Sequence, residues 1–190
     1  MSELKRPRSP PRPASALASA SLEVEEAIRT RRTHKAYRPQ PVDRATLDEL
    51  LELARWAPNH HLTNPWRFRV VGPESLARLK AAAGEEAATK LERAPTLVVA
   101  SVLQTGDELQ DDEDALAGAT AVYIVLLAAH ARGLVGYWRT PAVLRTPEGR
   151  AAVGLPDGER FIALIHLGHP RQEKDAPERA PLGDYVTYLP

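Results

Sequence analysis

The sequence of 190 residues contains no cysteine. That absence removes disulfide scaffolds, thiolate metal sites, covalent haem attachment and cysteine nucleophiles together, and it is compatible with a reducing cytoplasmic setting. Net charge is missing as well, since 25 Lys and Arg balance 25 Asp and Glu. A nucleic-acid-binding face or an anionic-membrane surface is therefore not expected as the main partner, although local clusters stay open. Neither glycine-rich phosphate fingerprint, G-x-G-x-x-G or G-x-x-x-x-G-K-[ST], occurs. No G-x-S-x-G elbow is present, and Ser75 and Ser101 have no evident catalytic partners. His60 and His61 are adjacent, and His166 and His169 flank a turn without a carboxylate pattern, so no metal site is expected. There is no internal repeat. The longest apolar run, "ALAGATAVYIVLLAAHARGL", is interrupted by Gly118, Thr120, Tyr123 and His130, which fits a buried core helix better than a membrane span.

The proline- and arginine-rich start, residues 1–20, lacks the uninterrupted apolar stretch of a secretory signal and reads as a flexible arm before one domain, 21–190. Ser21 is placed to cap an amphipathic helix, "LEVEEAIRTRR", with Leu22, Val24 and Ile28 as its apolar contacts. Two prolines keep "AYRPQPVDRA" extended, and Asp43 caps a second helix whose leucines 47, 50 and 51 recur at helical spacing. In "NHHLTNPWRFRVVGP" a loop is expected to lead into a strand with Phe68, Val70 and Val71 as its apolar content; further strands are expected at "PTLVVASVL", "LVGYW" and "ERFIALIHLGHP", the last with a turn. Between them lie a helical stretch broken at Gly84, the long apolar helix, and a loop with a short helix. Strands separated by helices give an α/β or α+β sandwich.

Three clusters carry chemistry. "RRTHKAYRP", from Arg31 to Pro39, places Arg31, Arg32, Thr33 and Lys35 where a helix gives way to extended chain. Guanidinium forks there suit a phosphate dianion, although the cluster by itself is as readily a solvated basic patch or a set of ion pairs with Glu23, Glu25 and Glu26, the commoner use of such a run. "WAPNHHLTNPWRF" bounds two tryptophans, two histidines and two asparagines with prolines. Such a loop can stack on a planar ring and bond its polar edge, or simply anchor itself to the core. "GLVGYWRTP" offers close backbone approach at two glycines beside Trp138, Arg139 and Thr140.

Taken in order, these stretches resemble the flavin-dependent nitroreductase family. Its pattern runs R-R-S, a spacer, a helix, then A-P-S/D-x-x-x-Q-P-W-x-F and an apolar strand. "APTLVVASV", "GATAVYIVLLAAHARGLVGYW", "FIALIHLGHP" and "RAPLGDYVTYL" match the later landmarks, so the resemblance spans roughly residues 22–190. It is nearest to small members carrying "APDH" and "WRS", where this chain has "APNH" and "WRT".

The resemblance implies a three-layer α/β/α sandwich of the α+β class, with a mainly antiparallel central sheet, in a domain-swapped homodimer with FMN sites at the subunit interface. It implies FMN as bound cofactor, NADH or NADPH as reductant, and a nitroaromatic, quinone or similar small molecule as electron acceptor. No catalytic side chain is expected, because the flavin carries the chemistry. By the same resemblance Arg31, Arg32 and Thr33 would hold the phosphate and ribityl region, Trp56 and His60 would approach the cofactor from the partner, and Trp138, Arg139 and Thr140 match the W-R-S segment. Arg179 matches an arginine near the end that helps hold phosphate. Lys35, Arg31 or Arg139 would also stabilise the reduced ring. Asn64 stands where the family usually has glutamine, and Thr33 replaces serine while keeping its hydroxyl. The alternative is a flavin-binding sensor or storage module with little turnover, whose basic arm meets a partner.

Overall fold

The structure, a computed structural model, describes residues 23–190. The expected arm, the Ser21 cap and Leu22 lie outside the described residues. Six helices, α1 (Val24–Thr30), α2 (Arg44–Ala54), α3 (Pro73–Ala83), α4 (Glu85–Leu91), α5 (Glu108–Ala131) and α6 (Pro147–Ala152), flank four strands. These are β1 (Trp66–Val70), β2 (Thr96–Leu103), β3 (Val135–Arg139) and β4 (Glu159–Gly168). The strands pair in the order β1-β2-β4-β3, every pair antiparallel. All four lie where the β-branched and aromatic runs place them.

β2 is buried at seven of its eight positions, because it presents apolar side chains in both directions. Val98 and Ala100 join Ala163, Ile165 and Leu167 of β4 on one face, against Leu47 and Leu50 of α2 and Val122 and Val125 of α5. Leu97, Val99 and Leu164 join the opposite core with Leu79 of α3, Leu91 of α4 and Ala152 of α6. The result is the expected three layers. This packing uses one side of α5, where Ala121, Val122 and Val125 have no exposed surface. Each fully buried leucine, such as Leu50 or Leu79, contributes about 2 kcal/mol through burial.

Local punctuation follows the sequence. Asp43 Oδ1 accepts from the amide of Thr46 at 2.9 Å, capping α2. Gly84, at φ 75°, separates α3 from α4. The first helix departs from expectation: it stops at Thr30, and Arg31 is already extended at ψ 129°. Arg31 and Arg32 are thus in the strand-like segment rather than the helix, because Thr33 bridges to Gly136 of β3. Val24 and Ile28 are exposed, and only Ala27 of α1 is buried.

Thr96, Ser101, Glu159 and His166 are buried polar residues within the sheet. Arg69 donates to both Glu159 oxygens at 2.8 Å, and Ser101 donates to the same carboxylate. Burial works to raise the Glu159 pKa, but the bonds from Arg69 and Ser101 outweigh it and hold it below the ordinary value. His166 of β4 is different: it is 1% exposed, and neither ring nitrogen has a hydrogen-bond partner. Burial first, then the charges of Arg139 and Arg93, push its pKa down to about 3. The folded protein therefore keeps this ring neutral while the unfolded chain protonates near pH 6.5. Stability must fall as pH drops below that value. Between pH 7.5 and 5.5 the loss from this group is about 1.4 kcal/mol. His166→Phe is expected to remove that share of the pH dependence, read from urea midpoints at the two pH values; an identical difference in both proteins would refute the assignment.

Candidate functional site

Past Thr30 the backbone runs alongside the edge strand β3, fixed by the Thr33–Gly136 bridge and by the His34 amide donating to the Gly136 carbonyl at 3.2 Å. On its core side, a Cβ at Gly136 would stand 2.5 Å from Leu126 Cδ2 and 3.3 Å from the His166 carbonyl, so the leucine would have to shift to admit one. Tyr37 closes the far end: its hydroxyl donates to the His34 carbonyl at 2.7 Å, and burial pushes its pKa up.

A cleft of about 510 Å³ opens beside this segment, lined by Arg31, Arg32, Thr33, Lys174 and Arg179 among others. Lys174 Nζ donates to the Thr33 carbonyl at 2.9 Å, tying the C-terminal segment to the basic one. One Arg32 terminal nitrogen donates to the carbonyls of Arg29 and Arg31, while its Nε is buried with no partner. The Arg31 guanidinium lies 6.0 Å from the Tyr123 ring centroid. Four of the sequence-predicted residues, Arg31, Arg32, Thr33 and Arg179, thus share one cleft.

Lys35 and Arg139 meet around Tyr137, each 5.8 Å from its ring centroid. Arg139 also donates to the Lys90 carbonyl at 2.8 Å. Trp138, on the opposite side of β3, packs against the α2/α5 core, and Thr140 is exposed just past the strand.

The proline-bounded loop is elsewhere. Trp56 is 76% exposed. His60 Nδ1 lies 2.7 Å from Glu113 Oε2, and the rings of His60 and His61 stack at 3.8 Å. Thr63 Oγ1 donates to the buried Asp114 at 2.6 Å. Asn59 Oδ1 accepts from the Asn64 backbone amide, and the Asn64 side-chain Nδ2 donates to the Leu62 carbonyl, so both bonds stay within the loop. The loop is pinned to the start of α5, whereas the basic segment meets its end, where Thr30 Oγ1 lies 2.8 Å from His130 Nε2. From Glu113 to His130 the helix rises roughly 25 Å at 1.5 Å per residue. One chain does not bring His60 and Asn64 to the arginine cleft, and Trp56 is not among the residues that line it.

Lys174 and His130 were not singled out from sequence. Lys174 is one basic residue in a polar tail, and no local signal marks it. His130 looks from its position like an interruption of an apolar helix. His130 is held below its ordinary pKa by burial and then by Arg31 and Arg32. His34 is held down by burial, then Lys174 and His130.

Comparison with known proteins locates this arrangement among others. The sequence pattern of the nitroreductase family matches residues 28–91. A Haemophilus influenzae protein named "Putative NAD(P)H nitroreductase" is 31% identical over 178 residues, covering 85% of this chain and 97% of that one. The crystal structure of a nitroreductase-like family protein from Bacillus cereus superposes with a TM-score of 0.81 at 22% identity, covering 91% of this chain and 99% of that one. A "putative nitroreductase in complex with FMN" from Desulfovibrio desulfuricans superposes at 0.75 with 27% identity, covering 88% and 96%.

The loop itself carries strain that can be measured. His61, Leu62 and Asn64 have φ of 51°, 53° and 47°, the left-handed region that Asn, Asp and His tolerate and that leucine avoids. Leu62 is 76% exposed and so gains little from burial in return. Leu62→Asn is expected to stabilise the protein by about 1 kcal/mol, seen as a higher urea midpoint. An unchanged or lower midpoint would mean that the leucine side chain is held by something that outweighs the backbone cost.

Proposed function

The chain belongs to the nitroreductase family, and from that premise we propose that it is an FMN-dependent oxidoreductase that draws on NADH or NADPH and reduces nitroaromatic, quinone or similar acceptors by a ping-pong cycle. The observation that carries the reading is the meeting of Arg31, Arg32, Thr33 and Arg179 around one cleft, from opposite ends of the described chain. The donor set fits a phosphomonoester: guanidiniums supply paired N–H donors, Thr33 adds a hydroxyl, and the buried Arg32 Nε lacks an acceptor.

In this reading Arg31 and Arg179 bind the phosphate and Thr33 holds the ribityl chain beside it. Lys35 and Arg139 add positive charge next to Tyr137, where they favour an electron-rich ring over a neutral one. The redox chemistry, hydride in from the nicotinamide and electrons out to the acceptor, is supplied by the flavin. The chain's own part is binding, orientation and local field, which agrees with the lack of a nucleophile–base pair in the sequence.

Trp56, His60 and Asn64 enter the same site only if a second copy supplies them, since within one chain none of them lines the arginine cleft. The proposed assembly is a homodimer. Its support is an apolar stripe on α5, Leu109, Leu116 and Tyr123 at seven-residue spacing, each exposed, with Val24 and Ile28 of α1 exposed as well. Leu116→Asp is expected to shift the protein from dimer to monomer in light scattering after size exclusion, with loss of bound flavin. A monomeric wild type that retains flavin would overturn the interface assignment.

The cofactor is tested by the visible spectrum of purified protein and by release of FMN on heating. Substituting Arg31→Gln together with Arg179→Gln removes two charge-assisted contacts, each of about 1.5–3 kcal/mol. FMN affinity is expected to fall at least a hundredfold, as measured by flavin fluorescence quenching. Wild type that neither carries nor takes up FMN would refute the reading. FMN bound without NAD(P)H oxidation in the presence of a quinone would favour the storage or sensor alternative.

A further inference from the structure

A larger cleft lies on the other side of the basic segment, about 1020 Å³, between the C-terminal ends of α1 and α5, the turn at Gly133 and residues 170–174. Five of its lining side chains are Arg or Lys, and Glu173 is its only acidic one, in a chain with no net charge. Most of these cations are held by backbone rather than by carboxylates. Arg38 Nε donates to the Pro170 carbonyl at 3.0 Å, Lys174 to the Thr33 carbonyl, and Arg32 to the Arg29 and Arg31 carbonyls. Among the described residues only Arg132 of the lining cations has a carboxylate within ion-pair distance, Glu49 at 3.6 Å. Carbonyl partners fix a guanidinium in place without cancelling its charge.

The ends of α1 and α5 point their carbonyls this way, which would oppose an anion. Much of that effect is already answered: the amides of Arg132 and Leu134 cap Ala129, that of Gly133 caps His130, and that of Arg31 caps Ala27. The side-chain cations, with full charges, then set the sign of the field. Two histidines complete the wall. His34 is 8% exposed. Thr30 Oγ1 spends its proton on the Glu26 carbonyl, so it accepts from His130 Nε2–H, leaving His130 Nδ1 free to take a proton.

We propose that this cleft is a second anion site, distinct from the flavin pocket, that takes a phosphate-bearing ligand carrying at least two negative charges. The donor chemistry is shared by a free polyphosphate and by the bisphosphorylated end of a nucleotide. Because Arg32 and Lys174 line both clefts, occupancy here draws on groups that also face the proposed flavin phosphate. The site itself does not depend on the flavin reading.

The test titrates inorganic pyrophosphate, and separately 2′,5′-ADP, into FMN-saturated protein while following the histidine ring signals by NMR and the flavin by its visible spectrum. Bound dianion should raise the titration midpoint of His130 by about one pH unit, with FMN retained. Arg171 is exposed, on the rim of the cleft and outside the flavin pocket. Arg171→Glu is expected to weaken binding at least tenfold, whereas Arg171→Lys retains most of it. Tighter binding of 2′,5′-ADP would identify the nucleotide as the source, and tighter binding of pyrophosphate the free anion. No histidine shift with either ligand, a shift undiminished in Arg171→Glu, or stoichiometric release of FMN would overturn the proposal. If the protein takes up no FMN at all, the same titration on the flavin-free chain still decides this site, so the two readings fail separately.

Discussion

The two-sided burial of β2 and β4 is the constraint on which the rest of the molecule depends. A strand that is apolar on both faces must be covered on both. α2 and α5 cover one side, and α3, α4 and α6 cover the other. Both central positions of the sheet are thereby occupied, and β1 and β3 become edges. An edge strand has free backbone groups, and those of β3 are where the basic segment attaches. The candidate site is therefore a consequence of sheet order: the arginines lie where they do because β3 had a side still open.

Much of this was legible from residues. The four strands were marked by β-branched runs, α2 by its leucine spacing and Asp43, and the α3/α4 break by Gly84. These are local signals, written in periodicity and turn chemistry. The grouping of Arg31, Arg32 and Thr33 with Arg179 was legible only through the ordered likeness to a family, since nothing local relates residues so far apart. What stayed hidden was decided by tertiary contacts. The early end of α1 follows from the Thr33 bridge to Gly136, which competes with helix for Arg31 and Arg32. Strand alternation packs the partly buried Trp138 against the α2/α5 core while Tyr137 lies near Lys35 and Arg139, a division of the two rings that spacing in the sequence alone does not reveal. His166, with both ring nitrogens unpartnered inside the sheet, has no sequence signature at all.

The length of α5 has a consequence for how a site can be assembled. The helix is long because it spans a full face of the sheet, and its two ends hold different chemistry. Its start anchors the strained loop through Asp114 and Glu113, and its end anchors the basic segment through His130. A helix this rigid cannot fold back to join the two. Packing two copies antiparallel along their α5 stripes would set the start of one beside the end of the other, so that the dimensions of a single core helix become the reason the proposed site is shared.

Neutral net charge conceals a strong separation of charge. Many carboxylates are consumed locally, in helical pairs such as Glu25 with Arg29, Asp48 with Arg44 and Glu86 with Lys90, or deep in the sheet as Glu159 with Arg69. Such exposed pairs add little stability each, but they remove acidic side chains from competition for other cations. Arg32, Lys174 and Arg139 are left to bond backbone carbonyls, which orient them while leaving their charge unopposed. The positive field around β3 is thus produced as much by where the acids are used as by where the arginines stand. A reading of composition alone, which sees only equal numbers, has no access to it.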